Sequence, residues 1–288
     1  MNNSLILTFD LEEWFHLCID DEPASWDQYE KRFEKNTNYL LEVLNDHGVK
    51  ATFLVLGWIA KKYPKLIKEI SENGHDIGSH SNLHELIYNQ SKKEFEADLK
   101  ESLKILEDII SKKITIYRAP AFSINSSSKW ALDIVAKNGI KYDMSLFQGH
   151  HSLGGITGEK IDEPFYINTS YGRILEYPMT LTKIFGLSFA TCGGGYFRLL
   201  PFSVMKTLLN HNEYRMTYFH PRDFDYEQPR VSMPTLRYFK TYVGLSSSRS
   251  KFKKLLNNFS PISLSEDLRR RELGKLRTIE LERLGNTN

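Results

Sequence analysis

His80 and His84 stand four residues apart, just after the glycine-punctuated stretch Gly74-His75-Asp76-Ile77-Gly78-Ser79. Imidazole nitrogens are good metal ligands, and side chains four apart on a helical turn lie one above the other. The pair is therefore a candidate for sharing one cation. A solvated helix face produces the same spacing, so the pair needs support from elsewhere in the chain. That support would be an oxygen ligand, a base and a proton donor. Asp10, Glu12 and Glu13 follow the apolar run Leu5-Ile6-Leu7-Thr8-Phe9, where a buried strand would deliver them to a site, although acids there also cap helices. Arg118 follows Ile114-Thr115-Ile116-Tyr117, and His220 follows Arg215-Met216-Thr217-Tyr218-Phe219.

The elements that must position these groups alternate. Strands are expected at 5–9, 51–56, 75–78, 114–117, 140–143, around 173–178 and at 215–219. Helices are expected at about 26–45, 60–72, 94–111, 126–138, 201–211 and 252–259. In 94–111 the residues Phe95, Leu99, Leu103, Leu106 and Ile110 form a core-facing stripe. Strand–helix alternation predicts a parallel α/β fold, in which the C-terminal strand ends converge on one face. Asp10, Glu12, His80, His84, Arg118 and His220 then meet, and two imidazoles with one carboxylate leave positions on a cation open for water and substrate. Gly193-Gly194-Gly195 lacks the Lys-Ser/Thr of a phosphate-binding loop and reads as a tight turn. Trp14-Phe15-His16 is unusually aromatic for a solvated loop and is a candidate groove lining.

Composition sets outer limits. A chain of 288 residues with 41% hydrophobic content can bury a large core. Lys and Arg total 38 against 36 acids, a net charge of +2 that gives no reason to expect a nucleic-acid partner. Cys18 and Cys192 are too few for a disulfide scaffold. The N-terminal apolar run lacks a basic leader and is broken by Asp10, and no run approaches the roughly 20 apolar residues of a membrane span. A cytoplasmic location is expected. Arg269 to Arg271 read first as a solvated helix face, and second as a peripheral membrane or partner contact.

Four stretches, in order between about residues 4 and 225, carry a resemblance. They are Thr8-Phe9-Asp10-Leu11-Glu12-Glu13-Trp14, His80-Ser81-Asn82-Leu83-His84, Arg118-Ala119-Pro120-Ala121-Phe122 and Tyr218-Phe219-His220-Pro221. Together they resemble the polysaccharide deacetylase family, the NodB-homology carbohydrate esterases. Within it they resemble the branch with an Asp-x-Glu first motif, found in bacterial exopolysaccharide and cell-surface sugar deacetylases.

The resemblance implies a distorted (β/α) barrel of about seven strands over residues 1–245, followed by a helical extension over 246–288. It implies metal-dependent hydrolysis of an N-acetyl group on an acetamido sugar, and the expected cytoplasmic location points to a nucleotide- or lipid-linked precursor of a surface glycan as substrate. The implied cofactor is one divalent ion, zinc, with cobalt or nickel as alternatives. By position Asp10 is the expected base, His220 the acid, and Arg118 the partner of the base. His80, His84 and a first-motif acid are the expected ligands. Strand alternation puts Glu12 on the side of Asp10, which favours it over Glu13. Ala121, Phe122, Trp14 and Trp58 are expected at the substrate, with the Ala121 amide near the developing oxyanion. Asp143 stands where the family's fourth motif supplies an acid that tunes the histidine, and Asp223 competes for that role. Alternatives are hydrolysis of a non-sugar amide such as a small ureide, or a barrel that only binds glycan. A mere binder needs no proton donor.

Overall fold

The computed structural model describes residues 4–18, 22–148, 154–156, 161–184, 187–190 and 192–285. Its first strands are β1 (Ser4–Ile6) and β2 (Thr8–Leu11), and all four residues of β2 are buried, as in a parallel strand covered on both faces. After the short helix α1 (Trp14–Cys18) comes α2 (Phe33–Asp46), which turns Phe33, Leu40, Leu41 and Leu44 inward. Strand β3 (Thr52–Val55) follows.

The helix expected at 60–72 is two, α3 (Gly57–Lys62) and α4 (Pro64–Glu72). Proline lacks an N–H and pushes the preceding residue out of the helical region, so the chain breaks at Tyr63, with φ −125° and ψ 51°. Next come β4 (Asp76–Ser79) and α5 (Lys92–Ile110), which starts at a reciprocal Ser91–Glu94 capping box. Then β5 (Ile116–Tyr117), α6 (Ala131–Lys137), β6 (Tyr142–Asp143), β7 (Phe165–Thr169) and β8 (Gly172–Glu176) complete the main strand–helix succession.

The main sheet has the order β12-β7-β8-β6-β5-β4-β3-β2, where β12 is Thr278–Glu280. From β2 through β8 its neighbours run parallel, whereas β7 returns antiparallel to β8. The stretch expected at 215–219 lies beyond β2, bridging Ile6 through Met216 and Phe9 through Phe219. Six parallel strands and this stretch occupy seven barrel positions. Among the described residues nothing pairs β12 with 215–219, so the sheet is not closed.

Between β8 and that stretch lie a hairpin, β9 (Thr182–Ile184) and β10 (Leu187–Phe189), and two helices, α7 (Gly194–Leu199) and α8 (Phe202–Asn210). The triple glycine is thus the entry to α7, where Gly193 bridges Tyr218 and has no room for a Cβ against that ring. After α9 (Thr235–Tyr242), helix α10 (Leu245–Asn258) is longer than the 252–259 segment expected.

Residues 246–285 supply more than helices. Phe252 of α10 packs against Phe9, Phe219 and Phe224, β11 (Ser260–Ile262) pairs parallel with β1, and β12 pairs with β7 after α11 (Leu264–Arg270). One hydrophobic core runs from Leu5 to Leu284. No helix among the described residues is long and apolar enough to cross a membrane.

Candidate metal and catalytic site

The parallel strands point their C-terminal ends one way, and the singled-out residues follow those ends. His80 comes directly after β4, with its amide on the Val55 carbonyl. Its Nδ1 lies 2.8 Å from the carbonyl oxygen of Arg118. A carbonyl can only accept, so Nδ1 carries the proton and Nε2 presents a lone pair.

His84 is not on a helical turn with it. The connecting loop holds two non-glycine residues in the left-handed region, Ser81 (φ 66°) and His84 (φ 58°). Asp98 of α5 pins this loop by accepting the amides of Asn82 at 2.8 Å and Leu83 at 3.1 Å. The bent loop brings His84 Nε2 to 2.7 Å from Glu12 Oε2, and the ligand atoms of Glu12, His80 and His84 all lie within 4.8 Å of one another.

Both Glu12 oxygens and His84 Nε2 are buried without a hydrogen bond of proper geometry. Buried polar atoms seldom go unpaired, and a carboxylate facing two imidazole lone pairs is a donor set that a divalent cation satisfies. Burial opposes ionisation of Glu12, but His84, His220 and His80 outweigh it and hold the carboxyl well below its usual range. Burial is the main reason His80 is pushed down to about 4, which keeps it neutral and able to ligate. Glu13 turns elsewhere. Its Oε1 accepts the amides of Arg32 and Phe33, each at 3.0 Å, and so holds the N-terminus of α2. Burial raises it to about 7 in spite of these bonds.

The remaining groups surround this trio. Asp10 Oδ1 is 2.6 Å from Arg118 Nη1, and Asp10 Oδ2 is 4.0 Å from His220 Nε2. Arg118 is fully buried, and its other bonds to Thr8 Oγ1 and the Met144 carbonyl fix the guanidinium. His220 Nε2 is 3.4 Å from Glu12 Oε1, and its Nδ1 is 2.9 Å from Asp223 Oδ2. Burial disfavours the charged imidazole, but Glu12 and Asp223 more than offset it and raise His220 above the ordinary histidine range. Asp223 itself is held low against burial by Arg198 and His220. Arg198 Nε lies 3.0 Å from Asp223 Oδ1, so a buried line runs from His220 through Asp223 to α7.

Asp143 does not reach His220. It is fully buried and accepts from the Ser145 hydroxyl at 2.8 Å, while Glu176, at the end of neighbouring β8, accepts the Leu146 amide. Burial raises both acids, Glu176 more strongly, and the pair shares a hydrogen bond. Ser145 Oγ also accepts the Ala119 amide, so this acid pair buttresses the loop that carries Arg118 and Ala121. Ala121 and Phe122 are both left-handed (φ 51°). The Phe122 and Ser123 amides close turns onto Ala119 and Pro120, and the Ala121 amide takes no part in them.

Two of the expected sugar-facing aromatics are occupied otherwise. Trp14 is buried with its Nε1 on the Glu30 carbonyl, and the Phe122 ring backs the Arg118 guanidinium at 5.4 Å. Trp58 is half-buried, within a cluster of Phe15, His16 and Trp26. His16 stacks 6.1 Å from His84, takes the Glu13 amide on Nδ1, and keeps a buried, unpartnered Nε2.

Residues 4–142 match the family described as polysaccharide deacetylase, and residues 144–268 match a domain of unknown function, DUF3473. The chain is 29% identical over 126 residues to a peptidoglycan-N-acetylglucosamine deacetylase of Bacillus cereus, covering 44% of this chain and 42% of that one. It is 31% identical over 119 residues to the peptidoglycan-N-acetylmuramic acid deacetylase PdaA of Bacillus subtilis, covering 41% and 44%. The chain thus spans less than half the length of these curated relatives. In fold it resembles a Mycobacterium smegmatis crystal structure assigned to the polysaccharide deacetylases, with TM-score 0.62 at 18% identity over 95% of this chain and 91% of that one.

Proposed function

We propose that the chain, whose residues 4–142 match the polysaccharide deacetylase family, is a metal-dependent N-deacetylase of an acetamido sugar. The observation that carries this reading is the meeting of Asp10, Glu12, His84 and His220, from three strand ends, with side-chain contacts of 2.7 to 4.0 Å. Glu12, His80 and His84 would hold one divalent ion, with zinc as the first candidate and cobalt or nickel as alternatives. When bound, such an ion supplies Lewis-acid polarisation of the acetyl carbonyl and acidifies water.

The chain's own groups do the proton work. Arg118 holds Asp10 Oδ1, which leaves Oδ2 directed toward His220 and free to take a proton from the attacking water. The water oxygen bonds to the acetyl carbon, the C–N bond breaks, and acetate leaves. The amine departs with the proton from His220 Nε2, whose raised affinity for that proton keeps it available near neutral pH. The Ala121 amide is a donor for the carbonyl oxygen as it gains charge.

The substrate we favour is a nucleotide- or lipid-linked acetamido sugar of surface-glycan synthesis. The test is acetate release from nucleotide-linked sugars, chitooligomers and peptidoglycan fragments with added zinc, cobalt or nickel. Release from at least one acetamido sugar, abolished by Asp10→Asn, supports the reading. Release only from small ureides would move it to a non-sugar amidohydrolase.

A further inference from the structure

We propose that helices α7, α8 and α9 form a docking face for an anionic phospholipid bilayer. This goes beyond the deacetylase reading and does not depend on it. Among the described residues the exposed large aliphatic and phenyl side chains are Leu199, Val204, Leu236 and Phe239, and all four sit on these helices. Tyr196 and Tyr238 are exposed beside them. Leu236, at 65% exposure, and Phe239, at 50%, are one turn apart on α9 and share their face with exposed Lys240.

The frame beneath them is rigid. Arg198 of α7 donates to the carbonyls of Lys240, Thr241 and Val243, and Lys251 of α10 donates to the carbonyls of Arg198 and Leu200. A cluster of large apolar groups held out on a rigid surface marks a contact site.

Charge decides the occupant. Residues 228–265 contain seven Lys and Arg and no acid, although the whole chain nets only +2. A second copy docked on the same face would set one acid-free stretch against another, leaving its lysines and arginines without acids from that stretch to pair with. An anionic headgroup layer instead attracts Arg237 and Lys240 while Leu236 and Phe239 enter the acyl boundary. The charged tail does not compete for this role, because Arg269 and Arg270 pair with Glu266, and Arg271 pairs with Asp267, within their own helix. Val231 and Met233, just before α9, pack on the Trp14, Phe15 and Trp26 cluster, so the face adjoins the end of the fold that carries the site.

The test is cosedimentation of the full chain with vesicles of phosphatidylcholine alone or with about one-third phosphatidylglycerol. The wild type should partition onto the anionic vesicles and much less onto the neutral ones. Leu236→Ser/Phe239→Ser should weaken anionic partitioning roughly tenfold or more, and Arg237→Gln/Lys240→Gln at least about fivefold. Leu236, Phe239 and Lys240 are exposed and Arg237 is half-buried, and an unchanged thermal midpoint verifies the folding of each variant. No binding to anionic vesicles, or equal binding by wild type and both variants, overturns the proposal. So does a wild-type dimer that Leu236→Ser/Phe239→Ser dissociates while vesicle binding is absent.

Discussion

Asp223 governs how long His220 keeps its proton as pH rises. Its carboxylate raises the imidazole's proton affinity, and a general acid works only while protonated. Replacing Asp223 by Asn lowers the histidine pKa, so the alkaline limb of kcat/KM should move to lower pH, with kcat down about 10- to 100-fold and metal content unchanged. A pH–rate profile with metal analysis checks both. With a cation on Glu12, the pull of Glu12 on His220 weakens and Asp223 carries more of it. Asp10→Asn should instead cost roughly 10²- to 10⁴-fold in kcat across the pH range, since no neighbouring base takes its place. Asp10, Glu12, Arg118 and His220 stood out because each follows a recognisable apolar run, and His80 and His84 stood out by their spacing. Strand-end reasoning did not separate Asp143 from Asp223, because β6 has only two residues and no alternation to orient Asp143. Arg198 carried no signal at all, being one arginine in an ordinary helix. Glu176 was findable by the same strand-end logic.

Elements decide which of two adjacent acids is free for chemistry. Glu13 is consumed by the orphan amides of α2, so Glu13→Ala should cost about 1–2 kcal/mol, seen as a lower thermal midpoint, while metal stoichiometry stays the same. Loss of metal on Glu13→Ala would mean that the loop, and not the side chain of Glu12 alone, holds the ion. Helix positions were legible from apolar spacing to within a few residues for α5 and α8, and Pro64 marked a break that periodicity alone had spanned. The two loops that shape the site were not legible. Ser81, His84, Ala121 and Phe122 are left-handed without being glycine, so their conformation is imposed by tertiary bonds such as those from Asp98. The closeness of His80 and His84 therefore comes from a bent loop, although their spacing suggested a helical turn.

At the scale of the whole molecule, the C-terminal segment pairs with β1 through β11, near the edge segment expected at 262–264, and forms one edge of the main sheet through β12, which was not legible in the charged sequence after residue 266. Global stability should also report on His75, far from the catalytic end, at the start of β4. Burial pushes His75 down to about 4, and its neutral Nδ1 accepts the Ala51 amide at 3.1 Å. Between pH 6.5 and 4 the unfolded chain binds the extra proton, so stability present above 6.5 is lost as pH falls through that window. His75→Asn keeps an acceptor without titrating, and urea unfolding midpoints at several pH values should show a flatter slope for it. On this reading Glu12, His80 and His84 together hold one catalytic ion. Its most direct test is divalent-metal content, with metal-restored acetate release, for wild type, Glu12→Gln and His80→Ala. The wild type should hold about one ion per chain and release acetate, and each variant should lose both. Full metal occupancy in Glu12→Gln and His80→Ala, or acetate release that survives rigorous chelation, would contradict it.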